Sequence, residues 1–132
     1  MAVRLFVTDG RTWTELTDDV RPTVRVSARD LQHAQRLRDG IRARDPRVSV
    51  ILDVAVSVAA DYRAARRQFG VGNPGTVSYV GTVAGLAGLI ADIGRAGVAD
   101  GVTLVPAVAG QDLHGLGADV LARLRPAGRL AS

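Results

Sequence analysis

The chain has 132 residues, 47% of them hydrophobic, with a net charge of +4 and no cysteine, which suits a single domain with a substantial core and excludes disulfides, thiolate metal sites and cysteine nucleophiles. All 17 cationic side chains are arginine, so Schiff-base chemistry and a phosphate-loop lysine are excluded as well. Residues 1–70 hold 13 Arg against 9 acids and residues 71–132 hold 4 against 4. The arginines alternate with Asp and the aromatics are scattered, so the basic, aromatic-laced patch of a nucleic-acid reader is missing and no nucleic-acid partner is expected.

Residues Ala2 to Thr8 alternate as a strand, and Asp9-Gly10 ends it with turn chemistry. No charged leader with an apolar core and a small-residue cleavage site opens the chain, so a cytoplasmic protein is expected. Arg11 to Val20 is short and threonine-rich, and a turn or two of helix is expected around Trp13 to Asp19. Thr23 to Val26 makes a second strand. Ser27-x-x-Asp30 then resembles a capping box, opening a helix with Leu31, Ala34, Leu37 and Ile41 on one stripe until Asp45-Pro46 stops it.

The strongest signal in the chain follows. From Val48 to Val58 a valine or leucine recurs at every second position, a pattern that fits a pleated surface far better than a helix. Ser49, Ile51, Asp53, Ala55 and Ser57 occupy the other, wetter face. Asp61 caps a short helix that ends at Phe69-Gly70, and Gly70 to Ser78 reads as a loop. Its Gly70-x-Gly72-x-x-Gly75 spacing formally matches a dinucleotide fingerprint, but it follows a helix and contains Pro74. After a brief extended piece at Tyr79-Val80, Thr82 caps a helix that Gly97 terminates. The uncharged run from Val77 to Ala91 is shorter than the ~20 residues of a membrane span, so no membrane partner is expected, and Gly81-x-x-x-Gly85 reads as a site of close backbone packing. Gly101 to Val105 is strand again, and a last helix runs from Asp112 through Leu124. Strand and helix alternate, which implies crossover units and a largely parallel sheet.

The run from Val50 to Phe69, with Gly81-Thr82, Ala96-Gly97, Asp100-Gly101 and Asp112-Leu113, resembles the closing part of luciferase-like flavin-dependent monooxygenases. The branch it resembles acts on nitrilotriacetate, alkanesulfonates and long alkanes. The resemblance implies an α/β fold, half of a (β/α)8 TIM barrel, with four βα units and a mainly parallel sheet in one domain spanning residues 1–132. A complete barrel takes about 250 residues, so the resemblance also implies a missing half: either a homodimer or a separate N-terminal half-barrel chain. As cofactor it implies FMN or a deazaflavin. The flavin phosphate would sit at the turn after the first strand, at Gly10, Arg11 and Thr12, where backbone N–H groups and a guanidinium suit an anion and Asp9 opposes it. An ordinary turn is the alternative reading of those residues. A non-catalytic dimeric scaffold descended from the barrel is the alternative function.

Two further sets of residues stand out. His114, at the start of the last helix, is placed near the carboxyl ends of the strands, where barrel sites form, with a lone surface histidine as the alternative reading, whereas His33 lies on a solvated face. Alternation puts Arg4, Arg25 and Asp53 on candidate inner faces, so Arg25 or Arg4 could meet Asp53, as a remnant pocket or as a structural ion pair. With half a barrel missing, the inner residues Phe6, Ile51 and Val105 are expected to lie open to water, and the sheet to have two unpaired edges.

Overall fold

The computed structural model describes residues 3–9, 11–69 and 75–124. Six strands and four helices follow in the order β1 (Arg4–Thr8), β2 (Trp13–Glu15), β3 (Thr23–Val26), α1 (Leu31–Arg44), β4 (Ser49–Val58), α2 (Tyr62–Phe69), β5 (Val77–Gly81), α3 (Val83–Arg95), β6 (Gly101–Pro106) and α4 (Leu113–Leu124). The sheet runs β2-β1-β6-β4-β3, and β5 also pairs with β4. Every pairing is parallel except β1 with β2.

The valine-rich strand is the centre of this sheet, as its double-sided burial requires. Ile51 to Val56 pair with β6 along one edge of β4. The other edge is shared, its first half taken by β3 and its second by β5. Near this junction Ser27 Oγ and Thr76 Oγ1 lie 3.5 Å apart. The chain therefore leaves β5 and crosses β4 to reach β6. Crossovers in one sheet are right-handed, so helices connecting in opposite directions fall on opposite faces. Accordingly Leu52, Val54 and Val56 join Leu5, Val7, Val102 and Leu104 in a core with Leu86, Ile90 and Ile93 of α3 and Leu116 and Val120 of α4. Ser57 faces the other way, and its buried hydroxyl donates to the Ala65 carbonyl of α2 at 2.8 Å.

The wiring corrects one expectation and refines another. The sheet is mostly parallel and curls as half a barrel would, but β1 lies between the antiparallel β2 and the parallel β6 and not beside β3, the next parallel strand in the chain, which is not the neighbour-to-neighbour order of four successive βα units. The helical turn expected around Trp13 to Asp19 is instead strand β2 and an irregular segment. Its antiparallel register sets Thr8 opposite Trp13 and Phe6 opposite Glu15. That alternation places Trp13 and Glu15 beside Phe6 on the concave face, whereas Leu16 packs against the helix-side core.

The concave face is filled from within the chain. Trp13 stacks on Phe6 with ring centroids 4.4 Å apart and planes at 14°, and its Nε1 donates to Thr103 Oγ1 at 2.9 Å. Arg4 lies 5.5 Å from the Phe6 centroid and Arg25 lies 5.8 Å from that of Trp13. A residue of β2 thus reaches one of β3 from the far side of the sheet, which strong curvature alone permits. Arg25 clasps Asp53 with Nε to Oδ1 at 2.7 Å and Nη2 to Oδ2 at 3.2 Å. Arg4 pairs with Glu15, Nε to Oε2 at 2.8 Å and Nη2 to Oε1 at 2.6 Å. Phe6 and Ile51 are consequently buried and Val105 half-buried, so the expectation that all three face water is corrected. Gly101 makes this packing possible, because a Cβ there would stand 2.7 Å from the Arg4 carbonyl and 2.8 Å from Ile51 Cδ1, closer than any side chain tolerates.

Local signals at the helix ends are mostly as expected. Asp61 Oδ1 accepts the Ala64 N–H at 2.8 Å and Thr82 Oγ1 that of Gly85 at 3.3 Å. For α1 the cap is Asp30 itself, accepting from the His33 N–H at 2.7 Å, while His33 Nδ1 accepts the Arg29 N–H at 3.2 Å. The cap therefore sits one turn beyond Ser27, and His33 reaches back to the N–H of the residue before the cap, a variation on the capping box in which that bond goes to the cap itself. At Gly81 and Gly85 a Cβ would collide with the Tyr79 hydroxyl, which donates to the Thr82 carbonyl at 2.9 Å. The glycine spacing thus serves a tyrosine ring. Gly70, Gly72 and Pro74 lie outside the described residues.

Candidate functional site

Parallel neighbours β1 and β6 deliver two connections to the same end of the sheet. After β1 the chain turns at Asp9 into β2; after β6 it runs through Ala107 to Gln111 into α4. Between them lies a cleft of about 500 Å³, lined by Val7, Thr8, Asp9 and Thr12 on one side and by Pro106 to His114 on the other. A smaller trough of about 380 Å³ continues along the same loop, over Val58 and Gln68. The carboxyl ends of strands in open α/β sheets are where ligands bind, because connections diverge there and leave a crevice.

Both walls are pinned. The Thr8 hydroxyl donates to the Thr12 carbonyl at 2.6 Å. Asp9 Oδ1 accepts the N–H groups of Arg11 and Thr12, each at 2.9 Å, and the Thr12 hydroxyl at 3.1 Å. These bonds, that of the Thr12 N–H foremost, hold the Asp9 carboxyl below its ordinary range. Opposite, the Ala107 N–H donates to Val56 O at 3.0 Å, and Gln111 Oε1 accepts the Val58 N–H at 3.1 Å. Asp112 caps α4 through the Gly115 N–H at 3.0 Å. The last helix starts at Leu113, as the Asp112-Leu113 pair suggested.

Of the phosphate residues expected from sequence, Thr12 lines the cleft, Arg11 is exposed and outside the lining, and Gly10 lies outside the described residues. His114 lies in the lining. Sequence reading missed Gln111 and the wall from Pro106 to Gly110. Their local pattern shows only a loop; their importance comes from the pairing of β6 with β1. The titratable groups lining the cleft are Asp9, Asp112 and His114, with no arginine among them. The site can hold a small molecule through hydroxyls, carbonyls and carboxylates, and His114 offers a proton donor or acceptor. Among the described residues no group of three or more His, Asp or Glu is placed to hold a metal ion.

The opposite end of the sheet is structural. Asp100 accepts the Val50 N–H at 2.8 Å and the side chains of Arg38 and Arg42 at 3.0 and 3.2 Å. Among the described residues no helix is long and apolar enough to cross a membrane. No protein-family model matches the chain, and no curated protein matches its sequence.

Proposed function

We propose that this chain is a small-molecule-binding module that holds a flavin-class ring, of a flavin or a reduced deazaflavin, in the cleft between β1 and β6. One observation carries the reading: an open crevice of about 500 Å³ at the carboxyl ends of adjacent parallel strands, within the size range of small-ligand pockets. The resemblance to luciferase-like monooxygenases supplies the ligand class, and the curl of the sheet supports it. The lining offers two threonine hydroxyls, two carboxylates and the His114 imidazole, and the contribution proposed for the module is binding and orientation. Monooxygenase chemistry would draw on a second copy or a separate N-terminal half-barrel chain.

Trp13, the single tryptophan, is paired with Thr8 of the cleft wall, close enough for a bound flavin to quench it. Titration with riboflavin or a reduced deazaflavin is expected to quench its emission saturably in the micromolar range. Unchanged emission and unchanged ligand fluorescence at several hundred micromolar removes the flavin reading.

A second reading, a dimeric interaction module, is favoured by the β3 border. Val24 is 37% exposed on this outermost strand and Val20, just before it, is 97% exposed, and uncovered edges template pairing with another chain. Sedimentation at micromolar concentration is expected to show a dimer that Val24→Lys converts to monomer, and a wild-type monomer counts against this reading.

A further inference from the structure

We infer that Asp9 and Asp112 are specificity determinants that exclude phosphate and other anionic groups from the cleft, so that its occupant is an uncharged or cationic molecule. The inference rests on the cleft being the ligand site, and it adds the charge class of the ligand.

A turn after a strand and the first turn of a helix are where α/β proteins ordinarily seat phosphate, because unpaired backbone N–H groups converge there. The cleft is bordered by one of each; a carboxylate of the chain itself takes two N–H groups of the turn and one of the helix. At the turn, Asp9 Oδ1 collects the N–H groups of Arg11 and Thr12 together with the Thr12 hydroxyl. At the helix, Asp112 Oδ1 collects the Gly115 N–H. An entering phosphate would have to displace these acceptors, and it would do so beside two negative charges. Among the described residues neither Asp9 nor Asp112 enters an ion pair, and no arginine lines the cleft. In a protein of net charge +4 with 17 arginines, the cleft is a local region of the opposite sign. Both carboxylates are exposed, so the repulsion they exert on an entering anion is modest and is screened by salt.

The test compares riboflavin with FMN, which differ only by the phosphate, on wild-type protein and on Asp9→Asn with Asp112→Asn. Asparagine keeps a side-chain carbonyl for the turn and the cap, so the fold is retained and only charge is removed. Wild-type protein is expected to bind riboflavin about tenfold tighter than FMN at low ionic strength, with the gap closing in the double variant and in high salt. FMN binding as tightly as riboflavin, or more tightly, overturns the inference and leaves the cleft reading standing. Failure of both flavins to bind removes the flavin reading, and inorganic phosphate then decides the inference alone. In NMR titrations the amides of Arg11, Thr12 and Gly115 are expected to be unmoved in wild-type protein and to move in the double variant. A saturable shift of those amides in wild-type protein at millimolar phosphate overturns the inference.

Discussion

Replacing Asp100 with alanine is expected to lower the stability of the protein by about 3–4 kcal/mol, the cost of breaking one side of a largely buried ion-pair cluster. The carboxylate is only 11% exposed and joins three elements. Oδ1 holds Arg38 and Arg42 of α1, Oδ2 holds the Val50 N–H at the start of β4, and the backbone carbonyl of Asp100 accepts the Arg4 N–H of β1 at 3.1 Å. Alanine leaves the Val50 N–H without its acceptor and two arginines facing each other. In urea the unfolding midpoint is expected to fall with an unchanged slope.

The same carboxylate makes stability depend on acid. Burial, the largest single influence on Asp100, pushes its pKa up, but the Val50 N–H and the two guanidinium groups together outweigh it, and the net displacement is downward. A carboxyl whose folded value lies below its unfolded value contributes stability that is complete above the unfolded value, about 3.9. That contribution is lost as the pH falls through the folded value. Wild-type stability is therefore expected to decline below about pH 4, and Asp100→Ala to decline less over the same interval. Equal acid sensitivity in the two proteins would show that Asp100 is not the group responsible.

The second large effect is expected at Glu15. Arg4 is 4% exposed and its charge is met by the Glu15 carboxylate from β2, whose own pKa is lowered chiefly by that hydrogen bond. Glu15→Ala strands a buried guanidinium, at a cost of about 3 kcal/mol. This sits at the low end for such changes because Arg4 keeps the carbonyls of Arg21 at 2.9 Å and Asp19 at 3.2 Å, and the Asp19 carboxylate 4.0 Å from Nη1. Substituting both partners, Arg4→Met with Glu15→Leu, is expected to restore most of the loss, since an apolar pair carries no desolvation penalty. A double variant as unstable as Glu15→Ala alone would refute the account and show that the pair does more than neutralise a buried charge.

These two clusters show where local pattern informs and where it stops. Alternation identified β4 and put Asp53 and Arg25 on one face, and the pair forms. The same reasoning offered Arg4 as a partner for Asp53, but Arg4 turned to Glu15, because the segment read as a helical turn became a strand. In the stretch Trp13-Thr14-Glu15-Leu16, a three-residue strand and a helical turn are equally short. The deciding contacts are the Trp13 ring on Phe6 and the Glu15 carboxylate on Arg4, and both depend on β1 already being in place. The inner face was expected to need a partner for the same reason. Nothing local shows that Trp13 and Arg25, from opposite borders of the sheet, meet over it.

The amino-acid sequence by itself determined that strands and helices alternate, that β4 is a long strand with one apolar face, and where the α2, α3 and α4 helices begin; that its other face is also largely buried is decided by the tertiary structure. Periodicity and capping act within a few residues, and those few residues are enough to read them. Tertiary structure alone decided that β1 lies against β6, with Arg4 opposite Gly101, and so created the cleft between Asp9 and Asp112. A strand shows the same alternation whichever neighbour it takes. The choice rests on the crossover from β5, which carries the chain over β4 and seats α3 on the apolar side of the sheet.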